Sequence, residues 1–440
     1  MHTQIESTNL EKILNTAKKK GADEVEIIHK KWNENPVSFE NNKLKSLESN
    51  QSSGIAVRLI KNNKIGIASS TNPEAFESIA DSAIEASEFG PEAKFHFSSE
   101  KINDSDAKLE KTELPLENLV DRGMNVINSL RTVHKDLLVS GGFDLSFGET
   151  VYLNSNGVYG KRAKKLFSTS FYGQIIRDND FLGVYDGNSD LENFPNEVEM
   201  CNKIKEKLIE SLNITSLETN KYSVYFTPHA VANIFASILS TILNGKAIQQ
   251  KISPLVNKLG EKLFDKKFTF TENPEIGTAK VKFDDEGIKT QKKVLIKEGI
   301  INSFYFDLNT ASKINALSTG NGFKAGLASA PSPVLSSLII EPGNIKCKDM
   351  ISSMKDGVIV DQVLGAGQSN ILAGEFNVGI DLGFKVKNGK IHGRIKNCMI
   401  AGNIFDVLSN ISVISSEQEC LSGSNYFPAI LIENMTVAGK

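Results

Sequence analysis

The chain has 440 residues, 40% hydrophobic and 23% charged, and its 50 Lys plus Arg against 53 Asp plus Glu leave a formal net charge of −3. At about 150 residues per domain this length suggests two or three folded domains, and the near-neutral balance argues against a nucleic-acid coat, which carries a strong basic excess. No apolar run long enough to span a bilayer is present, so no membrane segment is expected.

The N-terminus lacks an apolar core of signal-peptide length. Leu10, Ile13, Leu14 and Ala17 instead fall at helical spacing, with Gly21 as a stop. Glu24 to Trp32 alternates as a half-buried strand, and Val37–Phe39 with Lys43–Leu44 suggests another. Gly54–Ile60 and Lys64–Ala68, joined at Asn62–Asn63, read as a hairpin. Asn72 and Pro73 should open a helix whose apolar face is Phe76, Ile79, Ala80, Ala83 and Ile84. A polar loop is expected over 98–113 and a helix over 115–132. Leu137 to Tyr185 is strand-rich, with a tight turn at Asn154–Gly157, and Phe194 to Leu212 returns to helix. Asn213 to Lys221 is the candidate domain boundary. Beyond it come strand Tyr222–Phe226, a buried helix over 228–244, and strands at Val281–Phe283, Val294–Ile296, Ser337–Ile340, Val358–Val360 and Ile430–Ile432. The fold class is α+β: a mixed α/β N-terminal domain over 1–215 and a β-rich C-terminal domain over 220–440.

The four cysteines (Cys201, Cys347, Cys398, Cys420) are dispersed, with no CxxC, and read as reduced thiols. The expected address is the cytoplasm. There is no P-loop, no GxSxG elbow and no dinucleotide fingerprint, since Gly365–Gly367 lacks the third Gly. A zinc hydrolase needs imidazoles or carboxylates that converge on the metal and a Glu to accept a proton from bound water. The six His are scattered and no HExxH occurs. Ser318–Gly322 reads as a plain loop or, alternatively, an anion-binding nest. Lys297–Ile300 reads as a hairpin turn. Asp284, Asp285 and Glu286, followed by Gly287, could bind a cation or amine or work as acid and base; the simpler reading is an acidic turn with Gly287 at positive φ.

In order along the chain, Asn154–Gly157, the Pro-led helix at 228–244, Ser253–Gly260, Glu272–Pro274, Phe283–Gly287 with Thr290, Gly299, Ser318–Asn321, Glu341–Gly343, Gly374–Asn377, Gly383–Gly389 and Ala401–Asn403 resemble the TldD/PmbA family on its PmbA (TldE) side. Each piece alone is weak; their order and spacing carry the resemblance. It implies a two-domain α+β subunit that dimerises. TldD-type subunits of this family are zinc metalloproteases with HExxxH on the first helix of the C-terminal domain. They pair with PmbA-type subunits that lack the motif, and the pair trims or degrades small or unfolded peptides. The family was once called a modulator of DNA gyrase. The corresponding helix here has His229 and no Asp or Glu, so no catalytic or metal residue carries over, and Cys398 reads as a packed thiol. The resemblance thus implies a metal-free subunit whose zinc sits in a TldD-like partner chain. Asp284, Asp285, Glu286 and Gly287 form the candidate peptide- or partner-contacting turn. The alternatives are a homodimeric, non-catalytic peptide- or ligand-binding protein and a hydrolase that uses the acidic cluster. Direct DNA binding is not expected.

Overall fold

The computed structural model describes residues 2–72, 75–102, 116–177 and 180–439. Helix α1 (His2–Lys19) leads into strand β1 (Glu24–Glu40), followed by β2 (Lys43–Leu47), β3 (Asn50–Lys61) and β4 (Lys64–Ser70). Helices α2 (Phe76–Phe89) and α3 (Leu116–Arg131) precede β5 (Leu138–Asn154), β6 (Tyr159–Arg177), β7 (Asp180–Asp190) and helix α4 (Glu197–Ser211). The strands form one antiparallel sheet in the order β4-β3-β1-β5-β6-β7, with β2 paired to β1. Val37–Phe39 is not a separate strand. It continues β1 through Pro36, and the chain reverses at Asn41 and Asn42 (φ 51° and 70°), as it does at Asn62 and Asn63. Asn tolerates this left-handed backbone, so both Asn pairs make tight hairpins. Helix α2 starts at Phe76, later than expected. Pro73 and most of the expected loop, residues 103–113, lie outside the described residues.

The second sheet begins at β8 (Asn220–Phe226). After it come helix α5, over 228–242, and α6 (Gly245–Gln249). The remaining strands are β9 (Phe270–Glu272), β10 (Lys293–Lys297), β11 (Ile300–Ile301), β12 (Gly322–Phe323), β13 (Ser332–Pro333), β14 (Leu338–Ile340), β15 (Asp356–Leu364), β16 (Glu375–Lys387), β17 (Lys390–Arg394), β18 (Cys398–Asn403), β19 (Ile411–Leu421) and β20 (Asn425–Ala438). Their order is β11-β10-β9-β14-β20-β18-β16-β15-β8, and a further β20–β8 pairing closes the last five into a ring; β12 and β13 form a separate ribbon. Alternation along these strands sends Val224, Phe226, Val358, Val360, Ile430 and Ile432 into a core with α5. Tyr225, Ile359, Ala429 and Leu431 point the other way. They share a second core with Leu119, Ile127 and Leu130 of α3, Ile204 and Leu208 of α4, and Phe143 and Phe171 of the first sheet. The two sheets are therefore joined by a common apolar layer. A third core packs Leu10 and Ile13 of α1 and Ile79 and Ala83 of α2 against Ile27, Val57 and Leu153 of the first sheet. The chain is thus α+β. Among the described residues no helix is long and apolar enough to cross a membrane.

Helix α5 is broken rather than continuous: Pro228–Ala230 is α-helical, Val231–Ala236 forms a π turn and Ser237–Ile242 resumes the α-helix. Thr227 caps it, its Oγ1 accepting from the Ala230 amide. Val281–Phe283 is not a strand; only an isolated bridge joins Phe283 to Lys289.

Candidate functional site

The site grows from the register of the first sheet. Side chains two apart on a strand share a face. Glu26 stands across from Arg58 on β3 and Asn154 on β5; Ile28 stands across from Tyr152; Lys30 faces Thr150, which faces Arg162 on β6. One face of the sheet thus carries a patch of charged and hydroxyl groups. The Phe283–Gly287 turn of the C-terminal half docks on it, and Asp284, Asp285 and Glu286 are all buried, none more than 2% exposed. Close approach requires glycine on both sides. A Cβ at Gly287 (φ +70°) would lie 2.5 Å from the Tyr152 ring, and one at Gly160 would lie 2.9 Å from Phe283.

Each carboxylate of the turn has its own set of partners. Asp284 shapes the turn, accepting from the amides of Glu286 and Ile288 (both 2.9 Å) and from that of Gly322 (2.8 Å). Asp285 accepts from Lys30 Nζ (2.9 Å), the Lys324 amide (2.9 Å) and Arg162 Nη2. Arg162 also donates to the Phe283 carbonyl at 2.6 Å. Glu286 accepts from the Leu308 amide at 2.7 Å. Its other oxygen lies 3.0 Å from Arg58 Nη2, close as ions but without a well-aligned hydrogen bond. Arg58 Nε donates to Glu26 at 2.6 Å, and its guanidinium lies over the rings of Phe95 and Phe97. The Tyr152 hydroxyl bridges the two halves, within reach of Glu26 (3.2 Å) and of the Glu286 carbonyl (3.0 Å).

Burial sets the protonation. It pushes Asp284 up to about 7 against three amide donors, and Glu286 up to about 8 against the Arg58 cation, with like charge from Asp284 and Asp307 adding to the rise. Burial would also raise Asp285, but Arg162 and Lys30 outweigh it and hold that carboxyl down to about 2. Burial lowers Lys324 to about 8, helped by the Arg58 cation. The turn is therefore an ionic clamp between the two halves, with its acidic side chains already engaged inside the chain.

A second buried acid, Glu272, accepts from Asn321 Nδ2 (2.8 Å) and from the amide and hydroxyl of Ser336, and lies 2.9 Å from Lys293 Nζ. Thr319 and Asn321 thereby have their side chains engaged within the Ser318–Gly322 loop and its neighbours. Outside the clamp, between β5–β6 and residues 279–282 and 334–336, opens a cleft of about 710 Å³. Arg162, Lys164, Lys165, Lys280 and Lys282 line it, with Phe323 and Leu335 as apolar wall.

Helix α5 was the expected place for a family zinc centre, and its residues do not fit one. His229 is the sole imidazole on it and it has no carboxylate. Among the described residues no group of three or more His, Cys, Asp or Glu is gathered to hold a metal ion. Asp361 beneath the helix start accepts from Thr227 Oγ1 (2.9 Å) and pairs with Lys207 (2.8 Å). Cys398 is 2% exposed within the core packed around α5; its thiol donates to the Lys396 carbonyl and burial raises it. Residue patterns did not single out Arg58, Glu26, Lys30 or Tyr152. The one available signal was a Glu and an Arg inside otherwise apolar strand segments.

The profile described as PmbA/TldA metallopeptidase C-terminal domain matches residues 219–439, and that of PmbA/TldA metallopeptidase domain 1 matches residues 25–87. An uncharacterized protein of Methanocaldococcus jannaschii is 26% identical over 91% of this chain and 93% of its own length. Metalloprotease PmbA of Escherichia coli O157:H7 is 23% identical over 95% and 93%. The crystal structure of TldE from Thermococcus kodakarensis superposes with a TM-score of 0.88 at 24% identity, covering 98% of this chain and all of that one.

Proposed function

This chain belongs to the PmbA/TldD metallopeptidase family, and from that premise we propose that it is the metal-free, PmbA-like subunit of a cytoplasmic peptidase complex. The zinc and the general base reside in a TldD-like partner chain. This chain contributes the interface and part of the enclosure that admits small or unfolded peptides. The observation that carries the reading is the composition of helix α5, one imidazole and no carboxylate where a TldD-type subunit carries HExxxH. The clamp fits the same role. An enclosure built from two sheets keeps its shape only if the sheets stay in register, and a buried charge network that spans both resists sliding more than an apolar contact does. Co-expression with a TldD-type protein tests the proposal. The two chains should co-purify, and peptide cleavage should require both. Cleavage by this chain alone would overturn the division of labour, and a homodimer that binds peptides and ignores a TldD-type chain would replace it with a binding protein.

A further inference from the structure

We infer that the Phe283–Gly287 turn is a proton-controlled latch: it leaves the first sheet at mildly alkaline pH while both halves stay folded, and the halves then pivot about the apolar layer they share.

The C-terminal half holds the first sheet from both faces. The β1–β5 register runs unbroken from Glu26 to Phe39, and the β5–β6 register from Leu138 to Leu153. Side chains alternate along such strands. Val37, Phe143 and Phe171 therefore point to the face opposite Glu26, Lys30, Tyr152 and Arg162. There they pack with Ile359, Ala429 and Leu431 of the second sheet. On the other face the turn docks through ion pairs and hydrogen bonds to Lys30, Arg58, Tyr152 and Arg162. One attachment is thus made by apolar side chains, which protons leave in place. The other is ionic, and desolvation offsets much of the attraction in such a contact. Local opening takes the less stable attachment first.

The docked turn is short of positive charge. Asp284 accepts from amides alone, and among the described residues no cation pairs with it. Glu286 shares the Arg58 guanidinium with Glu26, which holds the shorter contact, 2.6 Å against 3.0 Å. Both side chains are fully buried. Lys30 and Arg162 are engaged by Asp285. Asp307, which caps the helical turn Leu308–Ser312, adds like charge toward Glu286. Asp284 and Glu286 therefore keep their protons to higher pH when docked. Freed into water they ionise near the usual carboxylate value of about 4. Docking takes up protons, so it weakens as pH rises from about 4 to about 8. Asp285, held down by Arg162 and Lys30, acts with the opposite sign, and its contribution is complete above about pH 4. Tyr152 is raised by burial and stays neutral throughout. Lys324 of the neighbouring loop is 9% exposed, and burial and the Arg58 and Lys30 cations favour its neutral amine. Docking therefore recovers as pH rises from about 8 toward the ordinary lysine value of about 10. The latch is loosest near pH 8.

Two readouts on the full-length chain alone test this. Amide exchange by mass spectrometry, expressed as protection factors, removes the intrinsic pH dependence of exchange. Residues 283–289 and 320–324 should lose at least about tenfold in protection between about pH 6 and pH 8, while β20 keeps its own. Trp32, the chain's single tryptophan, lies on β1 two residues beyond Lys30 and is 38% exposed. Its quenching by neutral acrylamide should rise over the same interval and fall back by about pH 10. The radius of gyration from X-ray scattering should rise and fall with it. E286Q should lose most of the drop in protection between about pH 6 and pH 8, and K324M should lose the recovery toward pH 10. Y152F removes the hydroxyl between Glu26 and the Glu286 carbonyl. It should lower protection of the turn at both pH values by the same factor, and it keeps the test open if E286Q does not fold. Constant protection of the turn, an equal loss in β20, a radius of gyration that does not change, a wild-type response in E286Q or K324M, or wild-type protection in Y152F each overturns the inference. The test needs neither metal, partner nor peptide, so its outcome is independent of the role proposed above.

Discussion

Arg58 is the cation that ties the clamp together, and Arg58→Met tests it most sharply. The substitution keeps an apolar stem between Phe95 and Phe97 and removes the charge. Glu26 then loses a donor at 2.6 Å and Glu286 an ion at 3.0 Å, both at sites no more than 2% exposed. Two unit charges about 4 Å apart interact by about 4 kcal/mol at an effective dielectric of about 20. Removal of one partner from a buried pair costs about 3–5 kcal/mol. Glu286 has a partial escape, since burial already raises its hold on a proton, up to about 8. Each additional proton held by the folded state offsets the loss by about 1.4 kcal/mol per pH unit. The loss should therefore be largest above pH 8, at about 3–5 kcal/mol, and shrink as pH falls. Urea-unfolding midpoints of wild type and variant, recorded on both sides of neutrality, measure it. A loss below about 1 kcal/mol, or one that does not change with pH, would refute the assignment of Arg58 as the cation that neutralises the clamp.

Wild-type stability should itself fall as pH rises from about 4 to about 8, because the folded chain retains protons on Asp284 and Glu286 that the unfolded chain has released. Glu286→Gln removes one of these groups, so its thermal midpoint should fall less steeply than that of wild type across the same range; equal slopes would place the titration elsewhere. Gly287→Ala forces a Cβ toward the Tyr152 ring at a positive φ, with an expected cost of about 1–3 kcal/mol in a urea titration, and a cost within about 0.5 kcal/mol would contradict the close approach. Cys201 and Cys398 are buried, whereas Cys347 and Cys420 are partly exposed. A thiol reagent should therefore label the latter pair first in the native chain and all four after unfolding; early labelling of Cys398 would contradict its place in the core.

Local features were legible in the sequence because local chemistry decides them. Asn62–Asn63 and Glu298–Gly299 announced hairpins through residues that accept positive φ, and Asn154–Gly157 announced the turn between β5 and β6. The length of β1 was not legible, since the polar run Asn33–Asn35 and Pro36 read as a break. The strand persists there because β5 pairs with it on one side through this stretch. The burial of the acidic turn was hidden for a different reason. Three adjacent carboxylates belong in water unless cations meet them, and the cations lie far away in sequence, Lys30 being 255 residues from Asp285. The cleft is similarly non-local, its two cationic walls coming from β6 and from the segment before the turn. The π turn in α5 likewise has no signature in a run that reads as an ordinary apolar helix.

In the proposed division of labour the catalytic zinc belongs to the partner and not to this chain. Metal analysis of the purified full-length chain, alone and in complex with a co-expressed TldD-type protein, tests it most directly when cleavage of an unfolded peptide is read on the same samples. Negligible zinc and no cleavage are expected for the chain alone, and zinc with chelator-sensitive cleavage for the pair. Stoichiometric zinc with cleavage by this chain alone would contradict it.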